Sequence, residues 1–98
     1  MDQIPIKYGA DNSLSQTALR GVVLSTSRAP IENAVITVDA QAGSVRSGRD
    51  GKWTFYLSLL QPNGAARVTG TAPNGSIAFQ DVQIINRKTV VVPVIQIA

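Results

Sequence analysis

The sequence predicts an all-β fold, a small antiparallel sandwich, and three observations lead to it. From Leu19 onward short runs rich in Val and Ile recur with turn residues between them, no window keeps a helical period, and apolar and polar residues alternate within the runs. Seven such runs suit one sandwich. A chain of 98 residues is a single domain. A domain of that size buries on the order of two-thirds of the surface its unfolded chain exposes, so a core can form without staples.

Taken in order, residues 1–17 read as a polar lead-in or linker, because Gly9, Ala10, Asp11, Asn12 and Ser13 form turn material and Ile4-Pro5-Ile6 is extended at best. The domain proper is residues 18–98. The expected strands are residues 19–25, 34–40, 44–47, 52–60, 65–72, 76–85 and 88–97. Side chains alternate along a strand, so the second run points Ala34, Ile36 and Val38 inward, with Val35, Thr37 and Asp39 opposite. The fourth sends Trp53, Phe55, Leu57 and Leu59 inward and Lys52, Thr54, Tyr56 and Ser58 outward. The fifth sets Ala66, Val68, Gly70 and Ala72 against Arg67, Thr69 and Thr71. In the sixth the parity changes between Ile77/Phe79 and Val82/Ile84, so a bulge near Gln80-Asp81 is expected to turn all four inward.

The last run is apolar on both faces, which one half-solvated sheet does not require. Pro93 has no N–H and places this run at an edge or at a bulge. Val91, Ile95 and Ile97 are therefore the candidate interface, an apolar strip for a neighbouring domain or an identical subunit. The other reading has that strip covered by the lead-in or by the strand's own twist.

Composition excludes several function classes. The sequence has no His and no Cys, so disulfides, thiolate metal sites, cysteine nucleophiles and Ser-His relays are absent. Asp11, Asp39, Asp50 and Asp81 are too scattered for a calcium loop, and no cofactor is expected. The formal net charge is +3, yet the nine Lys and Arg residues are spread over the whole chain. With only five aromatics, this is not the clustered pattern of a nucleic-acid binder. No stretch approaches the roughly 18 apolar residues of a membrane span, and no export signal opens the sequence. A ligand patch remains to be weighed. Tyr56 shares its predicted face with Lys52, and Arg46 and Arg49 lie in the same hairpin, which together would suit a glycan or polymer.

The turns carry a resemblance. Leu19-Arg20-Gly21-Val22-Val23, then Ala29-Pro30-Ile31-Glu32-Asn33-Ala34-Val35-Ile36, then Asp50-Gly51-Lys52-Trp53-Thr54-Phe55 resemble the carboxypeptidase regulatory-like domain family. Leu60-Gln61-Pro62-Asn63-Gly64 and Ala72-Pro73-Asn74-Gly75 are similar to two further turns of that family, although the aromatic after the second glycine is missing. The likeness covers about residues 19–94. It implies a seven-stranded antiparallel Greek-key sandwich, prealbumin-like (transthyretin-like), used as a non-catalytic accessory module on peptidases, surface proteins, outer-membrane receptors and some phage structural proteins. An extracytoplasmic or virion-associated setting is implied by the family alone.

The same residues have a direct physical role: Gly21 permits close approach, Pro30 fixes φ at a strand entry, and Asp50-Gly51 closes a hairpin. Peptide cleavage is not implied, since a zinc carboxypeptidase needs His ligands. Transthyretin-related hydrolases also use His, and a Lys–Asn crosslink of the Cna B type through Lys7, Asn86 and Glu32 would have its acid in the wrong turn. The expected function is therefore protein–protein or domain–domain contact within a larger protein, with carbohydrate binding as the alternative.

Overall fold

The structure, a computed structural model, describes residues 17–58 and 61–98. The lead-in up to residue 16 and Leu59, expected to face inward, lie outside the described residues. These are all-β, without a helix, in eight strand segments. They are β1 (Thr17–Ser25), β2 (Val35–Val38), β3 (Val45–Arg46), β4 (Lys52–Leu57), β5 (Gly64–Thr71), β6 (Ile77–Ile84), β7 (Thr89–Val91) and β8 (Ile95–Ile97). The first strand begins at Thr17, inside the expected lead-in. Thr17 is buried, and its Oγ1 accepts the Arg87 N–H at 2.8 Å.

Two sheets result. The first has the order β4–β1–β7, with β8 also on β1; the second runs β3–β2–β5–β6. Every pair in the second sheet is antiparallel, as is β1–β4. The uniformly antiparallel expectation is corrected at the end of the chain, where β7 and β8 both run parallel to β1. The preceding strand, β6, belongs to the opposite sheet. The chain thus reaches β1 by a crossover rather than a hairpin, and only a tight hairpin imposes the antiparallel sense.

Inward residues of both sheets meet in one core. Leu19, Val23, Ile36, Val68, Ile95 and Ile97 are all fully buried, with Trp53 and Phe55 packed beside them. The expected inward sets of the second, fourth and fifth runs face this core: Ala34, Ile36 and Val38; Trp53, Phe55 and the half-buried Leu57; Ala66, Val68, Gly70 and Ala72.

Two glycines make the approach possible. A Cβ on Gly21 would lie 2.9 Å from the Trp53 ring. At Gly51, where φ is +80°, a Cβ would lie 2.5 Å from the Val23 carbonyl oxygen. Only glycine takes that conformation in that space. Nearby, the buried Ser47 ties the turn before β2 to the second sheet: its hydroxyl donates to the Ile31 carbonyl at 2.6 Å and accepts the Ala34 N–H at 2.9 Å.

The sixth run behaves differently from expectation. β6 pairs with β5 without interruption from Ile77↔Thr71 to Ile84↔Gly64, so no bulge occurs at Gln80-Asp81. A regular strand keeps one parity, and Val82 and Ile84 set it. Ile77 and Phe79 therefore point to solvent, 64% and 51% exposed. The bulge lies in the last run instead. Arg20 faces Val91 and Val23 faces Ile95, so Gly21 and Val22 are opposite three residues, Val92, Pro93 and Val94. The extra residue reverses parity and returns Ile95 and Ile97 to the core.

Candidate contact faces

The outer face of the first sheet is ordered by its register. Thr54, Arg20 and Val91 form one row across β4, β1 and β7; Tyr56, Ala18 and Thr89 form the next; Lys52 sits beside Val22. Alternation puts these side chains on the side opposite Leu19 and Val23, and of them Ala18 is buried. Tyr56 is 64% and Val91 62% exposed, and both are large enough to make this face partly apolar. A shallow depression of about 340 Å³ runs along Arg20–Val22, Lys52–Thr54 and Val91. Arg20 and Lys52 have no ion-pair partner among the described residues, so the rim is cationic.

This arrangement joins parts of two candidate sites that sequence reasoning kept separate. Val91, from the candidate interface, shares a face with Tyr56 and Lys52, from the candidate ligand patch, and Arg20 links them. Arg20 was not singled out by the sequence reading. Its signal was the alternation of β1, which sets Arg20 and Val22 opposite Leu19, Gly21 and Val23.

Both candidate sites also lose members. Ile95 and Ile97 are wholly buried, because the Pro93 bulge turns them inward, and they cannot belong to an exposed strip. Arg46 lies in β3 opposite Val35, on the outer side of the second sheet, while Arg49 sits exposed in the turn before β4. A hairpin that joins two sheets separates side chains that are close in sequence. The basic patch therefore keeps Lys52 and Tyr56 and does not include Arg46.

The outer face of the second sheet carries the exposed Ile77 and Phe79. The Arg67 guanidinium lies over the Phe79 ring, 3.9 Å from its centroid, and its Nε donates to Asp81 Oδ1 at 2.9 Å. The hydrogen bond from Arg67 holds the Asp81 carboxyl below the usual carboxylate range, and the same bond raises Arg67. Both groups are solvent-exposed, so this is a surface pair with modest energy. Its effect is to fix the positions of a cation, an anion and a ring on one strand pair.

The remaining residues weighed from the sequence lie apart or outside the described residues. Among the described residues no three His, Cys, Asp or Glu come together as a metal site. Lys7, Tyr8 and Asp11 lie outside the described residues. Asn86 donates its side-chain N–H to the Gln61 carbonyl at 2.6 Å, and Glu32 is exposed in the turn before β2. Among the described residues no helix is long and apolar enough to cross a membrane.

No protein-family model and no curated protein matches this chain. Among solved structures it is similar to the Bacillus anthracis TIE protein, at 16% identity and a TM-score of 0.58. The match covers 85% of this chain and 17% of that one. The chain thus spans about a sixth of its neighbour's length. At this identity the likeness is one of fold alone.

Proposed function

We propose that this chain is a non-catalytic accessory or structural β-sandwich module that makes protein–protein or domain–domain contact within a larger surface, secreted or phage structural protein. The observation that carries this reading is the outer face of the first sheet, where Val91 lines a shallow apolar depression rimmed by Arg20 and Lys52 and the exposed Tyr56 stands in the neighbouring row. Aromatic and Arg side chains on an otherwise polar surface are the usual anchors of contact. The complete lack of His and Cys supports a non-catalytic role.

The strand orders β4–β1–β7/β8 and β3–β2–β5–β6 support a prealbumin-like Greek key, with β7 and β8 as one strand interrupted at Pro93. The turn motifs support membership of the carboxypeptidase regulatory-like family. The partner is a neighbouring domain of a larger protein or an identical subunit. Solution mass across a concentration series checks the face: Val91→Asp and Tyr56→Ala should weaken association with the fold intact. Association unchanged in both variants removes the face as a contact surface.

One observation favours a second reading. Tyr56 stands exposed on the same face as two cations, diagonal to Arg20 and two rows from Lys52, an arrangement able to stack a sugar ring and bind acidic substituents. Tyr56→Ala should then abolish retention on an immobilised acidic polysaccharide. Equal retention of the variant and the native chain would eliminate it.

A further inference from the structure

The backbone of β6 is the least protected edge among the described residues. Arg67 directs its carbonyl to the Asp39 N–H at 3.0 Å, toward β2, so the alternate residues of β5 face β6. Ala72 confirms the phase by donating to the Ser76 carbonyl at 2.8 Å. By register, Ala78, Gln80, Val82 and Ile84 bond to β5, and Ile77, Phe79, Asp81 and Gln83 direct their N–H and C=O groups away from the sheet. None of these outward groups has a partner among the described residues. The strand has eight residues, without Pro, Gly or bulge, and bears Ile77 and Phe79 on its exposed face. Edges are normally guarded by such interruptions or by inward charge.

We infer that β6 pairs antiparallel with β6 of a second copy of this chain, about a two-fold axis through Gln80, which joins the two second sheets into one. This goes beyond the contact-module reading, whose face is the outer side of the first sheet, and places a separate contact on the edge of the second. The register follows from the free groups. With the axis at Gln80, Ile77 faces Gln83 and Phe79 faces Asp81 of the other copy, and every outward N–H and C=O of one strand meets its complement.

Moving the axis to Phe79 leaves Gln83 unpaired. Moving it to Asp81 leaves Ile77 unpaired and sets two carboxylates face to face, which is repulsive. The chosen register also matches charge. Arg67 already lies over Phe79, so Asp81 of the second copy arrives beside that guanidinium. Each Arg67 then has two carboxylates near it and each Asp81 two guanidinium groups. An edge on a different protein could supply hydrogen bonds but not this reciprocal placement.

The test uses the full chain in a light-scattering series from micromolar to millimolar concentration, with two kinds of variant. The native chain should approach twice the monomer mass. Asp81→Arg, an exposed substitution, should weaken association more than about tenfold by setting like charges opposite one another. Because the sequence has no native Cys, Ile77→Cys and Gln83→Cys chains can be mixed and oxidised; paired Cα atoms lie about 5.5 Å apart, within disulfide reach. The mixed crosslink should exceed both same-residue crosslinks. A strict monomer throughout, an Asp81→Arg chain that associates as the native one does, or equal crosslinks would each overturn the pairing. Association weakened by Val91→Asp and not by Asp81→Arg would overturn it while leaving the contact-module reading in place.

Discussion

The two sheets end differently on the side where β6 and β7/β8 are their last strands. On the first sheet, the edge formed by β7 and β8 is broken by Pro93 and an extra residue, so its hydrogen-bonding line cannot continue straight. On the second, β6 runs eight residues without interruption. The consequence for side chains is equally unlike. The interrupted edge sends Val92, Ile95 and Ile97 into the core, and the regular one leaves Ile77 and Phe79 in solvent. One residue inserted into a strand thus decides both whether an edge can accept a partner and which apolar side chains are free to meet it.

The comparison breaks most severely if the insertion is removed. Deleting Pro93 leaves two residues, Val92 and Val94, opposite Gly21 and Val22, so β7 and β8 join in one regular strand that keeps Ile95 opposite Val23 and facing the core. The domain should then keep a cooperative thermal transition and gain a straight edge on the first sheet, read as stronger association in light scattering. Loss of the transition would show that Ile95 and Ile97 depend on the bulge itself and not on strand parity.

A milder version compares two isoleucines. Ile97→Ala empties a fully buried site and should cost about 2–5 kcal/mol in urea unfolding, whereas Ile77→Ala, on an exposed site, should stay within about 0.5 kcal/mol. Equal losses would mean that Ile77 is covered in the isolated chain.

Ser47→Ala tests the turn before β2. It removes the acceptor of the Ala34 N–H and the donor to the Ile31 carbonyl in a buried place, and a loss of about 1–3 kcal/mol is expected. An unchanged denaturation midpoint would argue that water replaces both bonds.

The smallest effect belongs to the surface pair on β5 and β6. Arg67 lowers the Asp81 pKa, so its contribution is present above the unfolded-state value and is lost as pH falls through the folded one. An NMR titration of the carboxyl should give a midpoint below the ordinary Asp range, returning to it in Arg67→Gln. Identical midpoints would mean that the pair does not persist in solution.

Much of the core was legible in advance. Alternation alone placed Ile36, Val38, Trp53, Phe55, Ala66 and Val68 inward, because a strand allows only two faces and each of these runs has one apolar side. The glycine roles were legible in part: Gly51 follows Asp50 at a hairpin and Gly21 permits a close approach, while the Trp53 ring that makes that approach is set by the β1–β4 register. The candidate sites were legible only in part. Val91, Tyr56 and Lys52 are exposed where alternation put them, yet their membership of one face with Arg20 depends on β1 lying between β4 and β7. Arg46 is separated from them by the passage between sheets, which nearness in sequence does not reveal.

The sequence by itself determined an all-β domain, the inward sets of its regular strands, and a chemistry without imidazole or thiol. Each of these depends on residue type and on the two-residue period of a strand, which are local properties. Only the tertiary structure decided that the last strand runs parallel to β1, that the bulge falls at Pro93 rather than at Gln80-Asp81, and that Phe79 stands in solvent under Arg67. Those outcomes follow from which strands become neighbours. A register is fixed by the pairing partner, and the partner lies dozens of residues away along the chain.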